Sequence, residues 1–338
     1  MVLDSSWNET TQAFGHKGVT FVHLLALGSG ACNCVLNALI WMAFIKTPRL
    51  LQKHHLYLFY CLAVTNFFTG FFTLPTYLNL INHNNLNCPR WSILIGSSFE
   101  FAFDRIRHVI TLAIALERIY ALFCPGEYFF LDHQWIAIKV CTIAAVWAVF
   151  DMAFLIVEDN IFMVRVHCVT TSSSGPIFHV YFLIATIAFG VFLSLAYSVF
   201  ISKLFILRGT QLINRKSLCR ENFHQVNSLT VAVILMVVIF NVLPSSLYLC
   251  DMILGKVHFM KWGPIITIGY HFSGILSYFF YSYKHREIRA ALNKLYPIHK
   301  ITSKKHWSPQ KQQKMSAPSL ITLKDGDPDK TASGEIFL

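Results

Sequence analysis

Charge is scarce in this chain of 338 residues: only 13% are Asp, Glu, Lys or Arg, where a soluble domain carries about a quarter. The shortage excludes a water-soluble globular body. Long polar stretches are scarce too, because the internal loops run to about twenty residues and leave no room for an inserted soluble domain. Catalytic signatures are missing as well. Fifteen histidines are scattered without a His-x-x-x-His or Cys-x-x-Cys arrangement, and no glycine-rich phosphate loop follows a strand. The chain therefore does not read as an enzyme, and neither a metal nor any other cofactor is implied. A cleavable signal peptide is also lacking, since the leader has no basic and apolar regions, so the first apolar segment is expected to direct membrane targeting.

What is abundant is apolar matter: 55% hydrophobic residues and 15% aromatic ones. A hydrocarbon core about 30 Å thick needs some 20 apolar residues per helix. Seven segments qualify, at 19–45, 56–81, 91–123, 134–157, 176–207, 226–254 and 262–284. The expected fold is an all-α membrane protein, a seven-transmembrane helix bundle with a short amphipathic helix after the seventh span. Its expected division is an extracellular N-terminus over 1–18, the membrane domain over 19–284, the amphipathic helix over 285–296 and a disordered cytosolic tail over 297–338.

The net charge of +11 invites a nucleic-acid reading until the basic residues are located. Arg105 and Arg107 lie at membrane depth. One side of the predicted bundle carries only Lys17, Arg90, Arg165, Lys256 and Lys261, and the other twenty-one sit in alternate loops and the tail. The positive-inside rule then places the N-terminus outside and the tail in the cytosol, and nucleic acid is not a partner. Asn8-Glu9-Thr10 is the single Asn-x-Ser/Thr triplet, so Asn8 is the candidate glycosylation site of an external leader. Of nine cysteines, seven fall in the membrane or on the cytosolic side, where thiols stay reduced. Cys88 and Cys168 remain, both on the outer side, either as free thiols or as a bridge that staples the fourth-to-fifth loop over the bundle. An oxidising compartment favours the bridge.

The third segment carries two Asp/Glu-Arg-Ile triplets, Asp104-Arg105-Ile106 and Glu117-Arg118-Ile119. Only the second lies about two dozen residues from the outer end, at the cytosolic mouth. The run from Glu117 and Arg118 to Pro125 resembles the Asp/Glu-Arg-Tyr motif and following proline of rhodopsin-like G-protein-coupled receptors. Asn37, Leu62-Ala63-Val64-Thr65-Asn66, Pro75, Trp147, Tyr197 and Pro244 resemble that family's markers in the first, second, fourth, fifth and sixth helices. Ser277-Tyr278-Phe279-Phe280-Tyr281 keeps only the tyrosine of the seventh-helix motif, Asn66 replaces the sodium-site aspartate, and Val242 replaces the toggle tryptophan. This retained frame with altered switches resembles the divergent serpentine chemoreceptors of nematodes. The resemblance implies coupling to a heterotrimeric G protein through Glu117, Arg118, Tyr197 and Tyr281, and switch or packing roles for Asn37, Asn66, Trp147 and Pro244. It also implies a plasma-membrane or sensory-cilium location, and arrestin or a kinase as partners of the tail.

Physics adds a reading of its own. At about 100° per residue, Glu100, Asp104, Arg107, Thr111 and Arg118 share one helical stripe. Charges at membrane depth are costly unless they face the interior and pair, and they mark functional sites. Asp104 and Arg107 are i,i+3 neighbours, able to pair, and Arg105 can reach Asp151 of the fourth segment. Glu100 has no cation at helical spacing and most needs an outside partner. Glu100, Asp104 and Arg107 are accordingly the candidate contacts for a small external chemical or short peptide, roofed by the loop that Cys168 ties down. The basic clusters at 208–220 and 284–289 suit anionic lipid and a G protein alike. Residues 288, 291, 292 and 295 predict an amphipathic helix lying on the membrane. A transporter or channel is the rival that uses intramembrane charge, with internal repeats as its discriminator. A receptor-like scaffold is a third reading.

Overall fold

The computed structural model describes residues 18–51, 56–128, 130–211, 236–254, 259, 264–284 and 286–295. The helices are α1 (Phe21–Lys46), α2 (Tyr57–Asn82), α3 (Arg90–Phe123), α4 (His133–Val157), α5 (Pro176–Gln211), α6 (Leu243–Leu254, entered through a π-turn at Val238–Val242), α7 (Ile265–Lys284) and α8 (Arg286–Leu295). One of them occupies each of the seven expected spans. Residues 226–235 of the sixth, Asn8 and the leader, Arg215, Lys216 and Arg220, Lys256 and Lys261, and the tail from 296 onward lie outside the described residues.

Four helices, α1, α2, α4 and the stretch Pro176–Lys203 of α5, are long and apolar enough to cross a membrane by length and composition. The 34-residue α3 does not qualify alone, because Glu100, Asp104, Arg105 and Arg107 interrupt it. Its place in the bundle depends on its neighbours.

The helices are not the whole of the regular structure. Cys88–Pro89 (β1) pairs antiparallel with Val164–Arg165 (β2), a two-residue ladder within an otherwise helical fold. A disulfide joins Cys88 to Cys168 three residues beyond that ladder. The α2–β1 loop reads His83-Asn84-Asn85-Leu86-Asn87, and all three asparagines adopt positive φ, at 48°, 58° and 53°. Asn tolerates this left-handed region better than most residues, so the composition of the loop matches its tight path. Asn85 then accepts the Cys168 N–H at 3.0 Å.

Two charges close helix ends on the same side of the bundle. Arg90, assigned to a solvent loop by its sequence position, is fully buried. Its guanidinium donates to the carbonyls of Leu155 and Asp159 at the end of α4, and Nε donates to the Ser173 carbonyl at 2.8 Å. A cation at a helix C-terminus meets both the orphan carbonyls and the negative dipole end. Glu158 is its counterpart, accepting the Ile177 and Phe178 N–H groups at the start of α5 at 2.7 and 3.1 Å.

Close packing follows small residues. The buried face of α4 is largely Ala137, Ala144 and Ala148, which lets α3 approach closely. Its other faces show Ile138, Ile143, Val146, Val149 and Phe150, as a lipid-facing surface requires. On α3, Phe99 and Phe103 stack against Phe72 of α2 at 4.5 and 5.6 Å, while Phe101 packs between Phe178 and Phe182 of α5. The helix α8 is amphipathic as expected, but Ile288, Ala291 and Leu292 are buried in a cluster with Phe44, Leu50, Leu58 and Phe59. Its apolar face meets the bundle instead of lipid, because the ends of α1 and α2 already offer an apolar surface there.

Pro244 lacks the N–H that would satisfy the Phe240 carbonyl, and Phe240 lies within the π-turn just before it. That carbonyl is directed at Gly269 of α7, where a Cβ would sit 2.1 Å from the oxygen. Gly269→Ala must therefore push α7 away from the bend. The expected result is a loss of about 1–3 kcal/mol of stability, visible as a melting temperature several degrees lower in the purified protein. Gly28→Ala, within α1 and with nothing within 4 Å of its Cβ, should melt no lower than the parent and gains up to about 1 kcal/mol of helix propensity.

Candidate functional site

The polar stripe of α3 points inward. Glu100, Asp104, Arg105 and Arg107 are all at least 95% buried, and each charge has a distinct solution. Arg105 Nε donates to Asp151 Oδ2 of α4 at 2.6 Å. The other carboxylate oxygen of Asp151 accepts the Tyr181 hydroxyl at 2.7 Å, and that hydroxyl accepts Trp147 Nε1 at 2.8 Å. Around the guanidinium stand the rings of Trp147, Tyr181, Phe182 and Phe189, at 4.9–5.8 Å from its carbon. Aromatic faces attract a desolvated cation. Trp147 thus does more than pack: it closes the rim of this cage.

Arg107 Nη2 donates to Asp104 Oδ1 at 2.5 Å, and Nη1 donates to the Tyr270 carbonyl of α7 at 2.8 Å. Both predicted pairs of α3 are therefore made. His108 sits beside them, its Nδ1 2.8 Å from the Asp104 carbonyl and 3.3 Å from the carboxylate.

The Asp104–Arg107 pair separates two cavities of opposite character. Toward the disulfide end, Glu100 and Asp104 line a small cavity of about 20 Å³ together with Thr170, Thr267, His179 and Tyr270. Toward the other end, Arg107 and His108 line one of about 50 Å³ with Asn66, Asn241 and Ser273. The three predicted ligand contacts are thus split, because a side chain of Arg107's length reaches past its own turn toward α7. Glu100 accepts the Thr170 hydroxyl at 3.0 Å, and the hydroxyls of Thr73 and Thr267 face the same carboxylate. No basic side chain pairs with it among the described residues. Thr170 belongs to a one-turn helix, Thr170–Ser173, that Ser97 also holds through Ser173 at 2.9 Å. This turn is the roof.

At the opposite end of α3 the motif residues part company. The Glu117 carboxylate takes a hydrogen bond from the Tyr128 hydroxyl at 3.2 Å and lies 2.8 Å from His133 Nδ1, and it makes no ion pair with Arg118 among the described residues. Burial and the Glu117 charge push the Tyr128 phenol up to about 12, so it remains a donor at physiological pH. Arg118 lies over the Phe59 ring at 5.5 Å and close to Tyr197 and Tyr281. Three of the four predicted coupling residues are brought together, and Glu117 is held apart by the α3–α4 turn.

Asn37 and Asn66 meet across α1 and α2, and Asn33 completes their network. Asn33 Nδ2 donates to the Asn66 carbonyl at 2.9 Å, Asn37 Nδ2 to Asn33 Oδ1 at 2.8 Å, and the same Nδ2 approaches the Gly274 carbonyl of α7 at 3.4 Å. A signal for Asn33 was present, since it stands one helical turn before Asn37 in an otherwise apolar span. Arg90, Thr170 and Tyr181 had no such signal. Their roles exist only once the disulfide end is folded.

Seven packed helices, a disulfide-tied roof and a buried charged interior define an integral membrane protein of the serpentine receptor class. The sequence matches the serpentine type 7TM GPCR chemoreceptor Srbc family over residues 17–278, and the chain belongs to that family. It is a family of chemosensory receptors and not of enzymes. No curated protein matches the chain.

Breaking a buried ion pair costs about 3–5 kcal/mol, because an uncompensated charge remains. Asp151→Asn and Arg105→Met are each expected to reduce folded receptor strongly, and the double variant to lose much less than the two losses combined. Melting temperatures of the purified proteins, arranged as a double-mutant cycle, measure this; strictly additive losses would contradict the pairing.

Proposed function

We propose that this receptor binds a small external chemical or short peptide at the carboxylate-lined cavity and signals to a heterotrimeric G protein at the opposite end of α3. The observation that carries the reading is Glu100, a buried carboxylate that is met by hydroxyls and has no cation among the described residues. A group of this kind is costly to bury alone. A ligand with a protonated amine or a strong hydrogen-bond donor satisfies it, while Phe101, Phe182 and Tyr270 supply apolar and aromatic walls. The cavity of about 20 Å³ has room for about one water, so the described arrangement is the closed one. Ligand entry displaces the Thr170–Ser173 roof, and signalling follows only if the opened arrangement binds ligand better than the closed one.

In this reading the N-terminus and the disulfide end face the outside and the tail faces the cytosol, an orientation that the distribution of Lys and Arg supports. The receptor resides in the plasma membrane, with a sensory cilium as its specialised address, and arrestin or a kinase acts on the tail. Arg118 is available to a G protein because it has no carboxylate partner among the described residues. Movement of α6 about Pro244 uncovers it.

Two measurements in receptor-expressing cells test the reading. Arg118→Ala is expected to abolish ligand-evoked G-protein signalling at unchanged surface expression. Glu100→Gln is expected to raise the half-effective concentration of an amine ligand about tenfold or more, the scale of a hydrogen bond to a charged group. Normal signalling in the first variant sinks the coupling assignment, and an unchanged dose response in the second sinks the ligand site.

A further inference from the structure

The basic cavity of about 50 Å³ has room for roughly three or four waters. None of its lining residues is Asp or Glu. Arg107 spends two of its five N–H groups, on Asp104 and on the Tyr270 carbonyl, and its guanidinium is the charge that reaches this space. His108 Nε2, Asn241 Oδ1 and Asn66 Oδ1 are buried in the same lining without a hydrogen-bond partner among the described residues. Buried polar atoms left without partners are rare in folded proteins, and each one calls for an occupant. The Asn241 amide becomes a donor toward the cavity when it is turned about the Cγ bond, which interchanges oxygen and nitrogen at no steric cost, while Asn66 keeps its Nδ2 on Asn37 Oδ1 at 3.5 Å. The Ser273 hydroxyl faces the same space, whereas the Thr111 hydroxyl is spent on the Arg107 carbonyl at 2.7 Å.

We propose that this cavity, between the Asp104–Arg107 pair and Tyr197 and Tyr281, is a binding site for a small monovalent anion of halide size. Chloride is the abundant ion of that class. The anion offsets the field of Arg107 on the side that Asp104 does not cover, and it meets the Asn241 amide and the Ser273 hydroxyl as well. Because α3, α6 and α7 contribute these groups, the ion stabilises the arrangement described here relative to any in which α6 has moved. The inference rests on the cavity and its chemistry, independent of G-protein coupling.

The test uses the purified full-length receptor in detergent. Melting temperatures are recorded in sodium chloride, sodium bromide, choline chloride and sodium gluconate at equal ionic strength. An ion that binds only the folded state raises the melting temperature with its concentration. A rise of several degrees is expected in all three halide salts relative to gluconate, whichever cation is present. Asn241→Asp, which puts a carboxylate in the lining, should lose that increment. Equal melting in halide and gluconate, an increment that follows sodium instead of the halide, or an undiminished increment in Asn241→Asp each overturns the proposal. Where that variant does not fold, bromide-soaked crystals of the parent receptor decide: anomalous density within hydrogen-bonding distance of Arg107 supports the site, and water alone there refutes it.

Discussion

Everything at the centre of this receptor depends on the burial of charge in α3. Each charged group at membrane depth costs several kcal/mol unless it is paired or kept from lipid, and this helix carries four within eight residues. The cost is met by Asp104 pairing with Arg107 and by Arg105 pairing with Asp151 inside a cage of four aromatic rings. These pairs set the rotation of α3 in the bundle. With that rotation given, Phe99 and Phe103 stack on α2, Phe101 packs on α5, and Arg107 reaches α7. A helix too polar to cross a membrane alone becomes the axis on which the others are arranged.

The same pairing divides the interior by charge. Two carboxylates face the disulfide end and a guanidinium with an imidazole faces the other, so one ion pair divides two cavities of different lining. The π-turn before Pro244 is pressed against Gly269 and borders the basic cavity through Asn241. The altered switch residues of the sequence, Asn66 and Val242 among them, border this region and not the roof.

Much of the fold was legible beforehand because membrane insertion imposes simple rules. Apolar length gave seven spans, and the i,i+3 spacing of Asp104 and Arg107 gave their pair. The depth of Asp151 gave the partner of Arg105, and compartment chemistry singled out Cys88 and Cys168. Other features depended on contacts between distant segments. Arg90 looked like a loop charge because nothing in its neighbourhood announces the carbonyls of Leu155 and Asp159. Thr170 looked like an ordinary loop residue until the disulfide fixed its height over Glu100. Arg107 looked like a companion of Glu100, and only the position of α7 shows that its head lies in a different cavity. The face of α8 was visible as apolar, but whether lipid or protein covers it depends on how the ends of α1 and α2 are packed.

By itself the sequence determined the number of spans, the depth of each charge and the identity of the residues that must pair, because hydrophobic length and helical spacing are local properties that the bilayer reads directly. The tertiary structure alone decided which side of the Asp104–Arg107 pair each polar group faces, and what roofs Glu100. It also decided that Glu117 is held by Tyr128 and His133 while Arg118 rests on Phe59. Those outcomes depend on rotations and offsets between helices, set by small-residue contacts and helix-end charges from segments far apart in the chain, and no local spacing encodes them.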